Sequence, residues 1–415
     1  MSEQVTLRSI GVGVYLPTML YGVGQGAMVP IIAHSARDLG ASVGVAGLVV
    51  AAIGVGQLIG DLPAGALAGR IGERRAMLAA AALDVVAMAA CVIAGSVWLL
   101  GAAIFCAGLA GAVWGLARQA YLAEVVPFHL RARAMSTLGG VHRIGRFIGP
   151  FLGAGVVRAW GTDGAYAMNG IAVLAAAALL VSLPEPQGRH PHATTASGDV
   201  RIVDVARSHL PIFYTLGVGV LLIGAVRASR DVVLPLWADS LGFDAATTSL
   251  IFGIAGAVDM LLFYPAGKVM DRVGRAFVAV PSMVVLAAAH FLLPLTHDLT
   301  SLSLVALLMG FGNGIGSGIV MTLGADLSPS VGRPAFLGAW RLCADAGNSG
   351  GPLLIGTVSA AVALGPAIVL MGGLGLLGAL VMGRYIPRYV PSPRSLPSVV
   401  EEDQAVLRPG RTRPT

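Results

Sequence analysis

Twelve stretches of about 20 apolar residues recur along this chain, each long enough to cross roughly 30 Å of hydrocarbon at about 1.5 Å per residue. They fall near residues 10–33, 43–67, 75–96, 99–124, 135–158, 164–183, 210–237, 247–269, 276–296, 300–325, 335–358 and 363–385. Inside a bilayer a backbone must satisfy its own polar groups, which leaves helices and closed barrels. Segments of this length are helices, so the sequence predicts an all-α polytopic membrane protein with twelve transmembrane helices. Composition agrees: 56% of the 415 residues are hydrophobic and 12% are charged, where a water-soluble chain carries about a quarter charged residues. The first stretch is too long for a secretory h-region and shows no A-x-A cleavage pattern, so it is expected to remain as a helix. Cys91, Cys106 and Cys343 lie within spans at spacings that suit neither a disulfide nor a metal, and they read as small apolar fillers.

The formal net charge of +6 raises nucleic acid as a partner, and the placement of the basic residues removes it. With the N-terminus inside, the inner segments hold Arg8; Arg70, Arg74 and Arg75; Arg131 and Arg133; Arg189, Arg201 and Arg207; Lys268, Arg272 and Arg275; Arg333; and Arg384. The outer loops hold Arg37 and Arg158. This is the positive-inside asymmetry, and it predicts cytoplasmic N- and C-termini. The Ala- and Arg-rich composition with a single lysine, Lys268, suggests a GC-rich bacterial genome, and the expected location is a bacterial cytoplasmic (inner) membrane.

Residues 184–209 form the one long polar stretch between spans and are read as a cytoplasmic linker. They divide the chain into six spans (1–183) and six spans (210–388), followed by a Pro-, Ser- and charge-rich tail, 389–415, expected to be disordered. The halves are copies. A shift of 202 residues lays Pro63-Ala64-Gly65 on Pro265-Ala266-Gly267, Arg70 on Arg272, Gly72 on Gly274 and Gly108 on Gly310. It also lays Glu124 on Asp326, Pro127 on Pro329, Arg131 on Arg333 and Gly149-Pro150 on Gly351-Pro352. Proline makes up only 23 of 415 residues, yet all three prolines between 57 and 154 land on prolines without a gap. Six crossings per copy give both copies one orientation, related by an axis along the membrane normal, with a ligand site expected at the midplane between them.

The loop Gly267-Lys-Val-Met-Asp271-Arg272-Val-Gly274-Arg275 resembles the inner-loop motif G-x-x-x-D-R-x-G-R of the major facilitator superfamily. The first-half loop, from Gly65 through Arg70 and Gly72 to Arg75, resembles it too, with Gly69 where the family has aspartate. That carboxylate helps to lock the halves together in the family, which leaves the first-half lock in question here. Glu124 followed by Arg131, and Asp326 followed by Arg333, resemble the family's acidic and basic residues at the inner ends of spans 4 and 10. Gly145-x-x-x-Gly149-Pro150-x-x-Gly153 resembles the span-5 motif of its 12-span drug:proton antiporters, although Ala154 stands where a second glycine is usual. Glycines four apart open a groove for a neighbouring backbone, and Pro150 loosens the helix at that level. Span 11 repeats the pattern as Gly347, Gly351 and Pro352, and Ile104 stands where the family has a span-4 arginine.

Ionisable residues inside a membrane mark functional sites or ion pairs. Here they are Asp61, Asp84, Arg118, His142, Arg143, Arg146, Arg227, Arg230, Asp231, Asp259, His290, Arg341 and Asp345. Asp61 and Arg341 both lie roughly 10 Å from the inner surface at about 1.5 Å per residue, on spans that meet across the halves in the resembled fold. They form a candidate gate, the alternative being separate pairs within each half. Arg146 is expected to face the central cavity and to pair with Asp259; a permanent internal salt bridge is the alternative reading. His142 sits at the moving seam, where an imidazole titrates near neutral pH, or else simply packs. Asp84 with Arg118 reads as a structural pair, and His290 as packing. Spans 1, 4, 7 and 10 line the cavity in the resembled family, which makes Tyr21, Gln25, Trp114, Arg230 and Asn313 the polar or aromatic cavity candidates. Laying Pro30 on Pro235 puts Gln25 opposite Arg230.

No enzyme signature stands out, neither H-E-x-x-H, a phosphate loop nor G-x-S-x-G, and no cofactor or metal is implied. Twin halves suit alternating access. The sequence therefore predicts a monomeric secondary transporter that takes a small-molecule substrate, with protons as the coupling ion and Asp259, Asp231 and His142 as candidate proton carriers. Export of small amphipathic compounds is the leading expectation. A carrier of anionic metabolites or lipids that uses the midplane arginines is the alternative, and a transport-silent sensor or scaffold is a third.

Overall fold

The computed structural model describes residues 14–126, 128–182, 207–329 and 332–390. Most of the polar segment 184–209, and the tail from 391 onward, lie outside them. Among these residues twelve long helical segments follow one another: α1 (Leu16–Asp38), α2 (Val43–Ile71), α3 (Glu73–Val92), α4 (Val97–Val125), α5 (Phe128–Trp160), α6 (Thr162–Ser182), α7 (Leu210–Ser240), α8 (Ala245–Val273), α9 (Ala276–Leu295), α10 (Leu299–Leu327), α11 (Arg333–Ala361) and α12 (Leu364–Tyr389). Ten of them have the length and apolar character to cross a membrane. The other two, α5 and α11, carry Arg143, Arg146, Arg341 and Asp345 within their length.

Turns between helices fall where the repeat places them. Ser42 and Asp244, 202 residues apart, cap α2 and α8 by accepting the amides of Val45 and Thr247 at 3.3 and 2.6 Å. Ser96 and Asp298, again 202 apart, cap α4 and α10 through Leu99 and Ser301 at 3.3 and 2.8 Å. At the other end of the bundle Gly72 and Gly274 close α2 and α8 with φ of +89° and +120°, a backbone that only glycine adopts without strain. Gly72 and Gly274 of the loop motifs are thus helix stops; the opposite end of the bundle is marked by Gly40, φ +84°, in the turn between α1 and α2, and the two are the Gly40 end and the Gly72 end.

The duplication extends to the packing. In the first six helices α1 packs on α5 and α6, α2 on α4, and α3 on α4 and α6. In the second six α7 packs on α11 and α12, α8 on α10, and α9 on α10 and α12. Single contacts repeat in the same register. An added Cβ on Gly145 meets the carbonyl of Met19, and one on Gly347 meets that of Leu221. Gly149 stands against Val23 and Gly351 against Ala225, while Gly108 stands against Ile53 and Gly310 against Ala255. Each of these partners is shifted by 202 residues. Gly22 and Gly26 face back from α1 onto the backbone of His142 and Arg146, and Gly153 abuts Ala27, so the α5 groove is filled by backbone rather than side chains.

Between the halves, α2 lies along α11 and α5 along α8. These contacts concentrate toward the Gly40 end. Gly44 meets Ala360, Gly47 meets Gly356, and Ser349 Oγ donates to the Gly54 carbonyl at 2.8 Å. Phe151 covers Gly253, and Ile31, Ala154, Val157, Ala245 and Ala246 form an apolar plug. Arg37 Nε donates to Asp239 at 3.1 Å, with His34 Nε2 at 4.0 Å from the other carboxylate oxygen and 3.1 Å from the Phe243 carbonyl. Toward the Gly72 end Gly65, Gly69 and Gly267 face open space.

One feature of the second half has no counterpart in the first. α4 runs unbroken from Val97 to Val125, but α10 stops at Ile315 and restarts at Ile319, with Gly318 at φ +84°. Carbonyls freed at the break find donors: Ser282 Oγ reaches the Gly312 carbonyl at 2.6 Å, and Arg227 reaches those of Asn313 and Gly316 at 3.5 Å each. Broken helices are tolerated at membrane depth where such partners or a cavity are available.

Candidate functional site

A cavity of about 220 Å³ opens between the halves on the Gly72 side of the Phe151–Gly253 contact. It is lined by Arg143, Arg146 and Phe147 of α5, Arg227 and Arg230 of α7, Phe252, Gly256, Asp259 and Met260 of α8, and Asn313 and Ser317 of α10. Of the residues expected there, Arg146, Arg230, Asp259 and Asn313 lie on its wall. The α10 break delivers Asn313 and Ser317 to it.

The ion pairs differ from those expected. Arg146 Nη2 bonds Asp231 at 3.4 Å and not Asp259. Asp259 instead lies 3.8 Å from Arg230 Nη1 and accepts the Asn313 amide at 2.5 Å. Asp231 is one residue beyond Arg230 on α7 and 3.9 Å from its Nε, so α7 supplies a carboxylate closer to Arg146 than α8 does. Asn313 Oδ1 in turn accepts from Arg227 Nε at 2.5 Å. Asp259 thus ends a chain that runs from Arg227 through the Asn313 amide. Arg143 donates to Ser317 Oγ at 2.5 Å and lies 4.3 Å over the Phe263 ring, while Arg230 lies 5.4 Å over Phe252.

Charge at the cavity is therefore uneven. Four guanidinium groups face two carboxylates, Asp231 and Asp259. Arg146 and Arg230 hold these, whereas Arg143 and Arg227 are met by a hydroxyl, an amide and backbone carbonyls. Neutral oxygens are weak partners for a guanidinium, which binds a carboxylate or phosphate bidentately with a roughly twofold stronger hydrogen bond.

Three cavity candidates are elsewhere. Tyr21, Gln25 and Trp114 are buried inside the first six helices, 4%, 7% and 1% exposed. The Tyr21 and Trp114 rings stack at 5.1 Å, and Gln25 donates to the Tyr21 hydroxyl at 3.1 Å. The Tyr21 and Trp114 rings pack with Ala76, Met77 and Ala80 of α3 and Val173 and Ala176 of α6 rather than on the cavity wall. His142 turns the same way, with its ring 6.5 Å from that of Tyr21. The 202 register seen in the packing sets Gln25 against Arg227 rather than Arg230, correcting the alignment drawn from Pro30 and Pro235.

The direct ion pair expected between Asp61 and Arg341 is not closed: Arg341 bonds Asp345 on its own helix at 3.3 Å, and Asp61 lies across the seam within electrostatic reach of both. Asp84 and Arg118 do not pair either; neither Asp84 oxygen has a hydrogen-bond partner among the described residues. At the Gly72 end, Arg275 closes onto Asp326 at 2.8 Å and onto the Met270 carbonyl at 3.2 Å. The last arginine of the second-half loop motif, rather than Arg333, therefore holds the end of α10. Arg70, Asp271, Arg272 and Arg333 are exposed, and the side chains of Glu124 and Arg131 lie outside the described residues. His290 packs as expected, fully buried, with its ring nitrogens 2.7 Å from the Leu286 carbonyl and 2.9 Å from Ser229 Oγ.

The sequence profile of the Major Facilitator Superfamily matches residues 14–258 and 216–412. The chain belongs to that superfamily. It is a multi-pass membrane transporter. Its sequence is 26% identical over 164 residues to the multidrug resistance protein MdtG of Enterobacter lignolyticus (strain SCF1), a match that spans 39% of this chain and 39% of the relative's length. In fold it is similar to a D-xylose-proton symporter (TM-score 0.70, 19% identity, 92% of this chain and 99% of the other). It is also similar to a POT family transporter (0.73, 13%, 92% and 97%) and to the human organic anion transporter MFSD10 (0.62, 17%, 91% and 100%).

Proposed function

We propose that the chain is an alternating-access carrier of small organic anions with an aromatic or otherwise apolar body, coupled to protons, in a bacterial inner membrane. The observation that carries this reading is the pair of cavity arginines, Arg143 and Arg227, that have no carboxylate of their own. An anionic group is the partner they lack, and Phe147, Phe252 and Met260 offer a surface for the rest of the molecule. The cavity volume is below the usual range of drug-sized sites, about 300–1,000 Å³, which suits a molecule of one or two rings. With the arginine-rich loops inside, the sealed Gly40 end is the outer one and the cavity communicates with the cytoplasm. Rocking about the α2–α11 and α5–α8 seams exposes it to the other side.

The same charges set the sign of coupling. A proton on Asp259 or Asp231 removes the counter-ion of Arg230 or Arg146, so proton and anion reinforce one another's binding and move in the same direction. Similarity to a protein named for multidrug resistance supports a second reading, proton-driven export of amphipathic compounds; a cationic substrate would compete with the proton and be exchanged for it. Proteoliposomes loaded with labelled naphthyl phosphate or labelled tetraphenylphosphonium separate the two. The anion reading expects naphthyl phosphate exchange, lost in Arg143→Gln/Arg227→Gln, with protons following the anion. Movement of tetraphenylphosphonium alone, against protons, overturns it in favour of export.

A further inference from the structure

Inside the first six helices lies a group of buried polar side chains that the cavity does not use. Asp84 on α3 is 0% exposed, and among the described residues neither of its oxygens has a partner at hydrogen-bonding geometry. Arg118 on α4, 8% exposed, has Nε and Nη1 unpartnered, as are Trp114 Nε1 and His142 Nδ1. Tyr21 of α1 joins them. Its hydroxyl is within electrostatic reach of both Asp84 and Arg118, and His142 lies within reach of Arg118 on one side and of Arg143 and Arg146 on the other. The other groups facing Asp84 are Asn169 of α6 and Cys91, two turns along its own helix.

The duplication shows that the fold does not require this group. At +202 the positions of Asp84, Trp114, Arg118, Tyr21 and Asn169 are Leu286, Gly316, Val320, Ile223 and Met371. The second half repeats the helix pairings with none of these polar groups, although its α10 is broken at the equivalent of Trp114 and resumes just before that of Arg118. A carboxylate ion enclosed with only the Asn169 amide beside it and no cation within 4 Å is costly enough that it would take a proton instead. The polar set is thus maintained in one copy at the expense of stability, which is the pattern expected of a working group.

We propose that Asp84 is a proton-binding site of the transport cycle, separate from the anion cavity and connected to it through Tyr21, Arg118 and His142. In the sealed-outside state described here Asp84 is a neutral carboxylic acid. When the proton leaves to cavity water, the carboxylate attracts Arg118 and draws α3 and α4 together. α4 carries the backbone against which Gly56 and Gly60 of α2 are packed, and α2 forms one side of the seam with α11. Loss of the proton therefore bears on the seam that opens and closes the cavity. This inference rests on the reading of the chain as a proton-coupled carrier.

Infrared spectroscopy of the full-length protein tests it without a substrate. A buried carboxylic acid gives a C=O band that is absent in Asp84→Asn, displaced in Asp84→Glu, and shifted within minutes in heavy water because the group communicates with the cavity. A band that survives Asp84→Asn, or one that never exchanges, overturns the proposal. A transport arm distinguishes coupling from packing. In Asp84→Asn, accumulation of naphthyl phosphate driven by a pH gradient collapses relative to exchange of labelled for unlabelled naphthyl phosphate, which needs no net proton. An unchanged ratio overturns the proposal. If the wild-type protein moves no naphthyl phosphate, the anion reading fails while the infrared arm still decides Asp84.

Discussion

Asp239→Asn removes the charge that ties the two halves together at the Gly40 end. At 3.1 Å and an effective dielectric of about 20, Coulomb's law gives roughly 5 kcal/mol for the Arg37–Asp239 pair. Water screens most of this, because the side chains are 36% and 21% exposed, and measured pairs of such exposure contribute about 0.2–1 kcal/mol. The upper value applies here: Arg37 Nη1 also donates to the Ala41 carbonyl at 2.6 Å, so the guanidinium is already ordered. About 1 kcal/mol corresponds to a roughly fivefold change in the ratio of sealed to open states. A cysteine at Gly256, where an added Cβ has room, reports it in a chain whose three native cysteines are replaced by serine. Labelling by an impermeant maleimide from the Gly40 side should rise about fivefold in Asp239→Asn. Arg37→Asp combined with Asp239→Arg should restore the original rate, since the two positions are copies of one another. Unchanged labelling in Asp239→Asn, or a swap that does no better than the two single changes added together, refutes the latch.

Gly149→Leu forces a side chain onto the α1 backbone, where even a Cβ would stand 2.7 Å from Ala27 N and Gly26 Cα; thermal stability should fall by about 3 kcal/mol or more, while Gly155→Ala, facing open space in the same helix, does not lower the melting temperature. The Thr247 amide holds the Asp244 carboxyl below the usual carboxylate range, and the Ser301 amide does the same for Asp298. Both caps therefore contribute stability that is fully present above the ordinary carboxylate pKa and lost as pH falls through the lowered folded-state values. Melting temperature should drop over that acidic window in the wild type and stay flatter in Asp244→Asn/Asp298→Asn. Arg227→Lys leaves the Gly316 carbonyl or the Asn313 amide without its donor, so amide hydrogen exchange over 313–319 should accelerate, with α4 unaffected.

The features legible in the sequence are those that act through the backbone. Gly145, Gly149 and Gly108 align with Gly347, Gly351 and Gly310 because each lets one helix touch another, and a missing Cβ is visible in the residue type. Span lengths follow from hydrocarbon thickness in the same way. Partner choice among charges is not written so directly. Arg146 is matched in depth to both Asp231 and Asp259, and a side-chain reach of a few ångströms on α7 decides between them. Matching Pro30 to Pro235 misled the span 1 register because a proline marks a local bend, whereas the Met19–Gly145 and Leu221–Gly347 contacts fix it. The break in α10 did leave a signal: glycine occupies every second position from Gly310 to Gly318, a spacing unsuited to an uninterrupted helix. The spans that carry Tyr21, Gln25 and Trp114 point to the cavity, but a helix has an inner face of its own half as well as one toward the other half.

Arg37 and Asp239 occupy the same place in the two copies, and equivalent residues can touch only where the axis relating the copies passes between them. Two identical halves would set arginine against arginine there, or aspartate against aspartate. The opposite charges make self-association of either half unfavourable at its closest point and association with the other half favourable. The halves are therefore marked as an unlike pair. Separately expressed, 1–183 and 207–415 should find each other in preference to themselves, much as the two strands of a heterodimeric coiled coil do.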